Sequence, residues 1–263
     1  MISAESLTLH DLSRAPREAA FAPIGGEGLV QQTVRRLGEA IGLGVLKEGE
    51  RLPPETELAA RFEISAMTLR QALAMLREAG YIETRRGRGG GTVVKRATPF
   101  PPGRHALGGQ AKLTADALRD LTDFRVAISG HAAGLAATRA HEDELAQLAE
   151  LVAAMQTPVP YAHFRRLDSQ LHLGVASAAR SQRLVEAETL IQGELTPMLA
   201  LSGDEPSRLS LSTSNQDHTA LLDALMRRDG EAARHVMEIH VAGTAEMLLG
   251  LRLGMLSEDE AIR

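Results

Sequence analysis

A carboxylate and three imidazoles in the C-terminal half of the chain have the types and spacing of a metal site. Asp168 and His172 stand four positions apart in a predicted helix, so both side chains leave one face of it, one turn apart. His218 and His240 occupy the last two predicted helices, each beside apolar positions. Four such ligands from three helices of a bundle can enclose a divalent ion. By itself the Asp168–His172 pair is a weak indication, since each histidine also suits a solvated or a hydrogen-bonded core position.

Helices must position these ligands, because the sequence beyond Leu113 is helical in pattern. It is rich in Ala and Leu, has few β-branched runs, and is broken by turn residues such as Thr157-Pro158 and Asp229-Gly230. The predicted helices cover 114–140, 142–156, 159–179, 182–200, 212–228 and 230–253. The predicted fold is therefore mainly α, with an all-helical C-terminal bundle. Because the chain is only 3% aromatic, the bundle has few rings on which bases stack, and a second nucleic-acid surface is not expected.

The N-terminal part contains two short predicted helices separated by a tight turn. In the first, Leu58, Ala59 and Phe62 share one apolar face. Ser65 is placed to cap the second, whose apolar positions recur at helical spacing as far as Gly80. Two helices this close form a helix-turn-helix, here about residues 55–74, whose second helix enters the major groove of DNA. Its predicted contacts to phosphates and base edges are Ser65, Thr68 and Arg70.

A glycine- and arginine-rich hairpin follows the helix-turn-helix. Residues 81–84 and 92–95 have the pattern of short strands, and the segment between them ends in three consecutive glycines that make the tip compact. A hairpin in this position is typical of a winged helix-turn-helix. Its Arg86, Gly87 and Arg88 are predicted to reach the minor groove or its rim.

Composition and charge divide the chain into four predicted parts. These are a flexible N-terminal tail over 1–26, a winged helix-turn-helix domain over 27–96, a proline- and glycine-rich linker over 97–112, and a helical domain over 113–256. The net charge is −5, yet residues 28–96 carry 12 Lys and Arg against 8 Asp and Glu, whereas residues 97–263 carry 15 against 22. A basic domain joined to an acidic one favours DNA binding at one end and a different task at the other.

Composition also excludes several classes of site. Because the chain has no cysteine, it lacks disulfides, thiolate zinc sites and thiol catalysis, and a metal site must use nitrogen and oxygen ligands. No apolar run is long enough to span a bilayer, and the first residues lack the apolar stretch of a secretory signal. We therefore expect a globular cytoplasmic protein that does not have a membrane as a partner.

An ordered series of motif residues runs through the helix-turn-helix, a Gly-Tyr boundary and the wing: Gly44, Leu46, Gly49, Leu52, Pro53, Glu55, Leu58, Ala59, Ser65, Thr68, Arg70, Ala72, Leu73, Gly80, Tyr81 and Ile82. On this series, the segment from Leu29 to Arg96 resembles the DNA-binding domain of the GntR family of bacterial transcription regulators. The resemblance implies a regulator that binds double-stranded DNA. Because one helix-turn-helix covers only a half-site, we expect a homodimer on a palindromic operator.

A second series lies in the helical domain: Phe164-Arg165-Arg166-Leu167-Asp168 with His172, then Asp217-His218, Asp229-Gly230, Ala233, Met237 and His240. It is similar to the FCD ligand-binding domain of the FadR-like branch of that family. The similarity implies that the effector-binding and dimerisation domain holds a divalent metal on Asp168, His172, His218 and His240. Zinc and nickel suit such a ligand set best, and manganese and iron stay open.

The same similarity implies a small carboxylate effector held by a cationic side chain beside the metal. Arg125 matches the family arginine that lies near the effector, and Arg165 is a second candidate. A salt bridge at the surface of the bundle is the alternative role for Arg125.

The chain departs from the family pattern at several positions. Family members often have arginines where this chain has Thr56 and Ala66, so two base-reading side chains are missing here. Ser129 replaces a frequent glutamate, and His131 is an additional imidazole whose expected place is the surface and whose role is open. More of the DNA readout is therefore expected from Thr68 and the arginines of the recognition helix and the wing.

A metal-dependent hydrolase-type enzyme is the alternative function. An Asp/His site with an open position can activate water. Two features disfavour it: no obvious general base accompanies the four ligands, and catalysis gives a basic winged domain no role.

Overall fold

The computed structural model describes residues 11–87, 90–95, 115–200 and 208–261. The N-terminal elements are α1 (Arg14–Ala20), α2 (Leu29–Gly42), α3 (Glu55–Arg61), α4 (Ala66–Glu78), β1 (Ile82–Arg85) and β2 (Gly91–Val94). The C-terminal elements are α5 (Ala115–Arg139), α6 (Glu142–Gln156), α7 (Tyr161–Ala178), α8 (Gln182–Ala200), α9 (Arg208–Met226) and α10 (Gly230–Ala261). The predicted fold class, a winged helix-turn-helix followed by an all-helical bundle, is confirmed. Arg88 and the predicted linker over 97–112 lie outside the described residues.

Helices α3 and α4 form the predicted helix-turn-helix. Ser65 caps α4, because its Oγ accepts a hydrogen bond from the backbone N–H of Thr68 at 3.0 Å. Leu58 and Phe62 of the first helix are fully buried with Leu69 of the second. The strands β1 and β2 pair antiparallel, and Arg51 forms an isolated antiparallel β-bridge with Val93 of β2. The apolar stripes that predict the two helices are thus the surfaces that hold them together.

The segment from residue 11 to residue 24 is packed, although the sequence predicts a flexible tail over 1–26. Leu12 belongs to the core of the C-terminal bundle, whereas Phe21 and Ile24 belong to the core of the N-terminal domain. The backbone N–H of Ile24 donates to the carbonyl oxygen of Phe62 at 3.0 Å. The prediction fails because these apolar residues follow neither a helical nor a strand period, and their burial depends on two domains meeting around α1.

The C-terminal bundle is built around α7, which packs against α5, α6 and α8. Helix α10 lies along α5 and α9. At one crossing the backbones of Gly134 and Gly230 approach so closely that a Cβ on Gly230 would stand 2.9 Å from the carbonyl oxygen of Gly134. None of the described helices is long and apolar enough to cross a membrane.

The two domains meet along α7 and α8. Leu173 of α7 lies in the core cluster of the N-terminal domain. Gly44 follows α2 with a φ of +75°, and a Cβ there would stand 2.7 Å from Nε2 of Gln170 on α7. Gly193 of α8 makes a similar approach, since a Cβ on it would stand 2.7 Å from the carboxylate carbon of Glu39 on α2. The backbone of the interface therefore lies directly against the ends of these two side chains, and at Gly44 the positive φ also favours glycine.

Glu39 is a buried acid in this interface, with only 12% of its side chain exposed. Burial raises its pKa from 4.5 to about 7, against the opposing effect of Arg35 and Arg36 and with a further contribution from Glu194 on α8. The folded state therefore holds a proton on Glu39 between those two pH values, whereas the unfolded chain releases it. Stability falls as the pH rises through this window, and the shift corresponds to roughly 3 kcal/mol.

We expect Glu39→Gln to remove this pH dependence. The variant should match the wild type at about pH 3, well below 4.5, where the carboxyl is protonated in both states, and should be more stable by up to about 3 kcal/mol at pH 8. Urea unfolding at the two pH values measures the difference. Glu48→Gln, which changes an exposed glutamate of the same domain, is the control; equal stability gains in the two variants would refute the assignment.

Candidate functional site

Three of the four predicted metal ligands converge at the centre of the bundle. Asp168 on α7, His218 on α9 and His240 on α10 are buried, and one ligand atom of each lies within 4.8 Å of the other two. A zinc ion with bonds of about 2.1 Å holds its ligand atoms within roughly 4 Å of each other, so the set is close to a coordinating arrangement. His172 is adjacent, with its ring centroid 5.3 Å from that of His240.

The atoms that face one another in this cluster lack ordinary partners. Nε2 of His218 lies 2.9 Å from Oδ1 of Asp168, and Nε2 of His240 lies 3.6 Å from it. Despite the short distance, neither Asp168 Oδ1 nor His218 Nε2 has a hydrogen bond of acceptable geometry to any residue that the structure describes. Buried polar atoms without partners are costly. Buried nitrogen and oxygen atoms gathered within 4.8 Å of one another suit a divalent transition metal.

Electrostatics keep Asp168 ionised in spite of its burial. Burial by itself raises the pKa of this carboxyl, but Arg165 and the histidines hold the pKa well below its ordinary value. The pKa values of two of these histidines shift in opposite directions. Burial lowers that of His218 despite Asp168, whereas Asp168 and Asp217 outweigh burial and raise that of His240. Asp168 is thus available to the cluster as an anionic ligand.

The two predicted effector arginines lie in this part of the molecule but differ in what they contact. Arg165 donates from Nη1 to Oδ2 of Asp168 at 2.6 Å, so it neutralises a predicted metal ligand. Arg125 of α5 is 3% exposed, which excludes the alternative of a surface salt bridge. Its Nε has no hydrogen-bond partner among the described residues. Burial lowers the pKa of Arg125 to about 10, with Glu188 opposing the shift. His131 is exposed, as expected.

Glu188 on α8 is a buried acid that the sequence analysis missed. Its Oε2 accepts a hydrogen bond from the Ser129 hydroxyl at 2.7 Å, and its Oε1 accepts one from Gln192 at 2.8 Å. The same Oε1 lies 3.4 Å from Nδ1 of His172. A signal for it exists in the sequence, because Glu188 and Gln192 fall at helical spacing between Val185 and Leu195, within the stripe that α8 buries.

The face of α4 that would meet DNA carries polar side chains and one exposed apolar side chain. Ser65 and Thr68 hydrogen-bond each other through their hydroxyls at 2.8 Å, so both are engaged in the helix cap. The side chain of Arg70 is 68% exposed and lies 3.7 Å from Glu55 of α3. Met67 is 71% exposed, the most exposed of the large apolar side chains that the structure describes. Sequence reasoning missed it because a methionine in a helix is read as core.

The wing buries Ile82, Val93 and Val94 but exposes its described tip. Arg86 and Gly87 are exposed at its tip, where Gly87 has a φ of +103°, a conformation that favours glycine. The third predicted contact at the tip, Arg88, is outside the described residues.

Comparison with known proteins assigns both domains. Residues 29–94 match the family of bacterial regulatory proteins called the gntR family, and residues 120–243 match the FCD domain. The chain is 34% identical over 228 residues to the HTH-type transcriptional regulator RmpR of Mycobacterium gastri, covering 84% of this chain and 80% of that protein. The chain belongs to the GntR family of transcription regulators. It is a DNA-binding regulator with an FCD effector-binding domain, and the alternative of a hydrolase-type enzyme is wrong.

Other relatives agree with this assignment. The Exu regulon transcriptional regulator of Escherichia coli K12 is 27% identical over 224 residues, covering 84% of each chain. Among solved structures, the chain is similar to E. coli McbR/YncC with a TM-score of 0.51 and 18% identity, covering 86% of this chain and 99% of that one. The structural likeness supports the fold of this GntR regulator.

Proposed function

We propose that this GntR regulator acts as a cytoplasmic homodimer whose FCD domain binds a small carboxylate metabolite through a divalent metal and thereby changes its affinity for a palindromic operator. The observation that supports this proposal most directly is the buried convergence of Asp168, His218 and His240 beside the buried Arg125. His172 is the fourth ligand in the proposal, and zinc or nickel fits the donors. The bound metal would supply open coordination positions for the carboxylate oxygens of the effector.

Charge balance favours an anionic effector. The buried site contains two arginines, Arg125 and Arg165, and two acids, Asp168 and Glu188, so these fixed charges cancel. A divalent ion would leave an excess of positive charge beside the buried side chains of Asp168, His218 and His240. Uncompensated buried charge is strongly unfavourable. A carboxylate would reduce this excess, with the guanidinium of Arg125 donating to it in a fork geometry.

Helix α7 offers a direct route from the effector site to the DNA-binding domain. Asp168 and His172 leave one of its faces, whereas Gln170 and Leu173 leave another and contact the N-terminal domain. A rotation or shift of α7 on metal and effector binding would therefore move the contact with Gly44, two residues beyond the end of α2. Because packed interfaces switch between discrete arrangements, such a shift changes how the two recognition helices of a dimer are held.

We expect the purified protein to contain about one divalent ion per chain and to lose it in His218→Ala. Elemental analysis measures the metal, and thermal unfolding with and without a chelator measures the stabilisation, which should disappear in the variant. His131→Ala, which alters an exposed histidine, should behave as the wild type. A metal-free wild type, or full metal content in His218→Ala, would contradict the proposal.

We expect Arg70→Ala to weaken operator binding by at least about fivefold, the lower limit for loss of one good base or phosphate contact. The operator is first isolated from a random duplex library with the wild-type protein, and affinity is then measured by fluorescence anisotropy at fixed salt. Arg77→Ala changes an exposed arginine two turns further along α4 and should bind within about twofold of the wild type. Equal affinities of wild type and Arg70→Ala would remove Arg70 from the interface.

We expect Arg125→Gln to abolish the response to the effector without abolishing DNA binding. Metal-loaded protein is screened with lactate, glycolate, malate and citrate by thermal shift, and any compound that stabilises the wild type is then added to the operator complex. The variant keeps a polar amide that can hydrogen-bond, but it is shorter than arginine and lacks the charge that pairs with a carboxylate. Arg119→Gln, an exposed position on the same helix, is the control. An unchanged response in Arg125→Gln would exclude it as an effector ligand.

A further inference from the structure

Glu188 is surrounded by hydrogen-bond donors inside the bundle. Its side chain is 1% exposed. The Ser129 hydroxyl and the Gln192 amide nitrogen donate to its two oxygens at 2.7 and 2.8 Å, and Nδ1 of His172 lies 3.4 Å from Oε1. Burying a carboxylate is costly unless donors satisfy its oxygens. This many donors from α5, α7 and α8 around one side chain indicate a position built to hold an acceptor.

The contact between Glu188 and His172 bears on which nitrogen of the His172 ring is available to bind a metal. A neutral imidazole carries a proton on one nitrogen and a lone pair on the other. His172 Nδ1 makes no hydrogen bond of acceptable geometry to the described residues, and the Glu188 oxygen 3.4 Å away is the acceptor beside it. A carboxylate oxygen can only accept, so a bond between the two would require the proton on Nδ1 and would leave the lone pair on Nε2, the atom on the other side of the ring. Hydrogen bonds of this kind commonly fix the tautomer and orientation of histidines that bind metals.

We propose that Glu188 is a positioning residue of the metal centre: it accepts the Nδ1 proton of His172 and so presents Nε2 of that ring to the ion held by Asp168, His218 and His240. The inference rests on the proposed metal function. His172 stands beside the three converging ligands but outside the set whose ligand atoms lie within 4.8 Å of one another. The 3.4 Å contact is longer than a formed hydrogen bond, and the proposal requires it to shorten when the metal is bound.

Ser129 belongs to the same arrangement. Members of the family commonly have a glutamate at this position of α5. Here the hydroxyl of Ser129 donates instead to Glu188 on α8. A carboxylate supplied by α8 thus stands next to the α5 position that lacks one. Ser129 holds Oε2 of Glu188, which leaves Oε1 directed to Gln192 and His172.

Three variants test the inference by zinc affinity. Zinc is the probe, and competition with a chromophoric chelator gives its dissociation constant for the full-length protein. Glu188→Leu removes the acceptor and should weaken zinc binding by about 10- to 100-fold. Glu188→Gln keeps the shape and one acceptor oxygen, so a smaller loss of roughly two- to tenfold is expected because the charge-assisted bond becomes a neutral one. Glu186→Gln, an exposed glutamate one half-turn away on the same helix, should bind as the wild type.

The tautomer of His172 gives a second readout that a purely structural role would not change. In zinc-loaded protein with ¹⁵N-labelled histidine, His172 should show a protonated Nδ1 and a metal-bound Nε2, assigned by loss of the signal in His172→Ala. The Nδ1 proton signal should move upfield in Glu188→Gln, where its acceptor is neutral. If Glu188→Leu does not fold, Glu188→Gln alone decides the question through this signal and its zinc affinity.

The outcomes separate the inference from the function on which it rests. Wild-type zinc affinity together with an unchanged Nδ1 signal in Glu188→Gln would overturn the role of Glu188 and leave the metal site intact. A lower melting temperature of the metal-free variants with unchanged zinc affinity would overturn it too, since Glu188 would then support the fold alone. A wild-type protein that binds no zinc, nickel, manganese or iron would overturn the proposed metal function itself.

Discussion

The buried carboxylate of Asp168 is the constraint around which the effector domain is organised. An ionised acid at 2% exposure is tolerated only where cations or donors surround it. Arg165 supplies one from the same helix, and the imidazoles of His218 on α9 and His240 on α10 lie 2.9 and 3.6 Å from Oδ1 of Asp168. These helices must therefore be long enough, and close enough to α7, to bring their polar side chains to one point. An aliphatic core shared by α5, α6, α7, α9 and α10 holds the helices together.

Helix α7 has to satisfy two packing partners at once, and this links the site to DNA recognition. One face bears the acid and an imidazole of the candidate metal centre, while Leu173 on another face completes the core of the N-terminal domain. Helix α8 repeats the arrangement, with Glu188 facing inward and Gly193 facing Glu39 of α2. Because protein interiors are close-packed, a movement of α7 or α8 at the candidate metal site also displaces the face of that helix that contacts the N-terminal domain.

Local patterns predict much of this fold, and non-local burial explains what they miss. The cap at Ser65 and the apolar stripe of α4 follow from neighbours within a few positions, so both are present as predicted. Phe21 and Ile24 are buried by contacts with Phe62 and other residues much further along the chain. Their spacing in the sequence follows no helical or strand period that would predict this burial. Glu188 was missed for a related reason: the sequence does not say which polar side chain of a helix is buried until its partners Ser129 and His172 are placed.

The side chains at the start of α4 indicate how this domain would recognise DNA bases. The hydroxyl groups of Ser65 and Thr68 hydrogen-bond each other in the helix cap. Either hydroxyl would have to contact a base while it keeps this bond. Where family members often have an arginine, Ala66 leaves the start of the helix without a long polar side chain, and the neighbouring Met67 is exposed there instead. An apolar side chain discriminates by contact with the methyl group of thymine rather than by hydrogen bonds to guanine. On the proposed interface, readout therefore divides between an apolar contact from Met67, the guanidinium of Arg70 and the wing. A site rich in A·T pairs beneath the first turn of α4 is the sequence preference that this division implies.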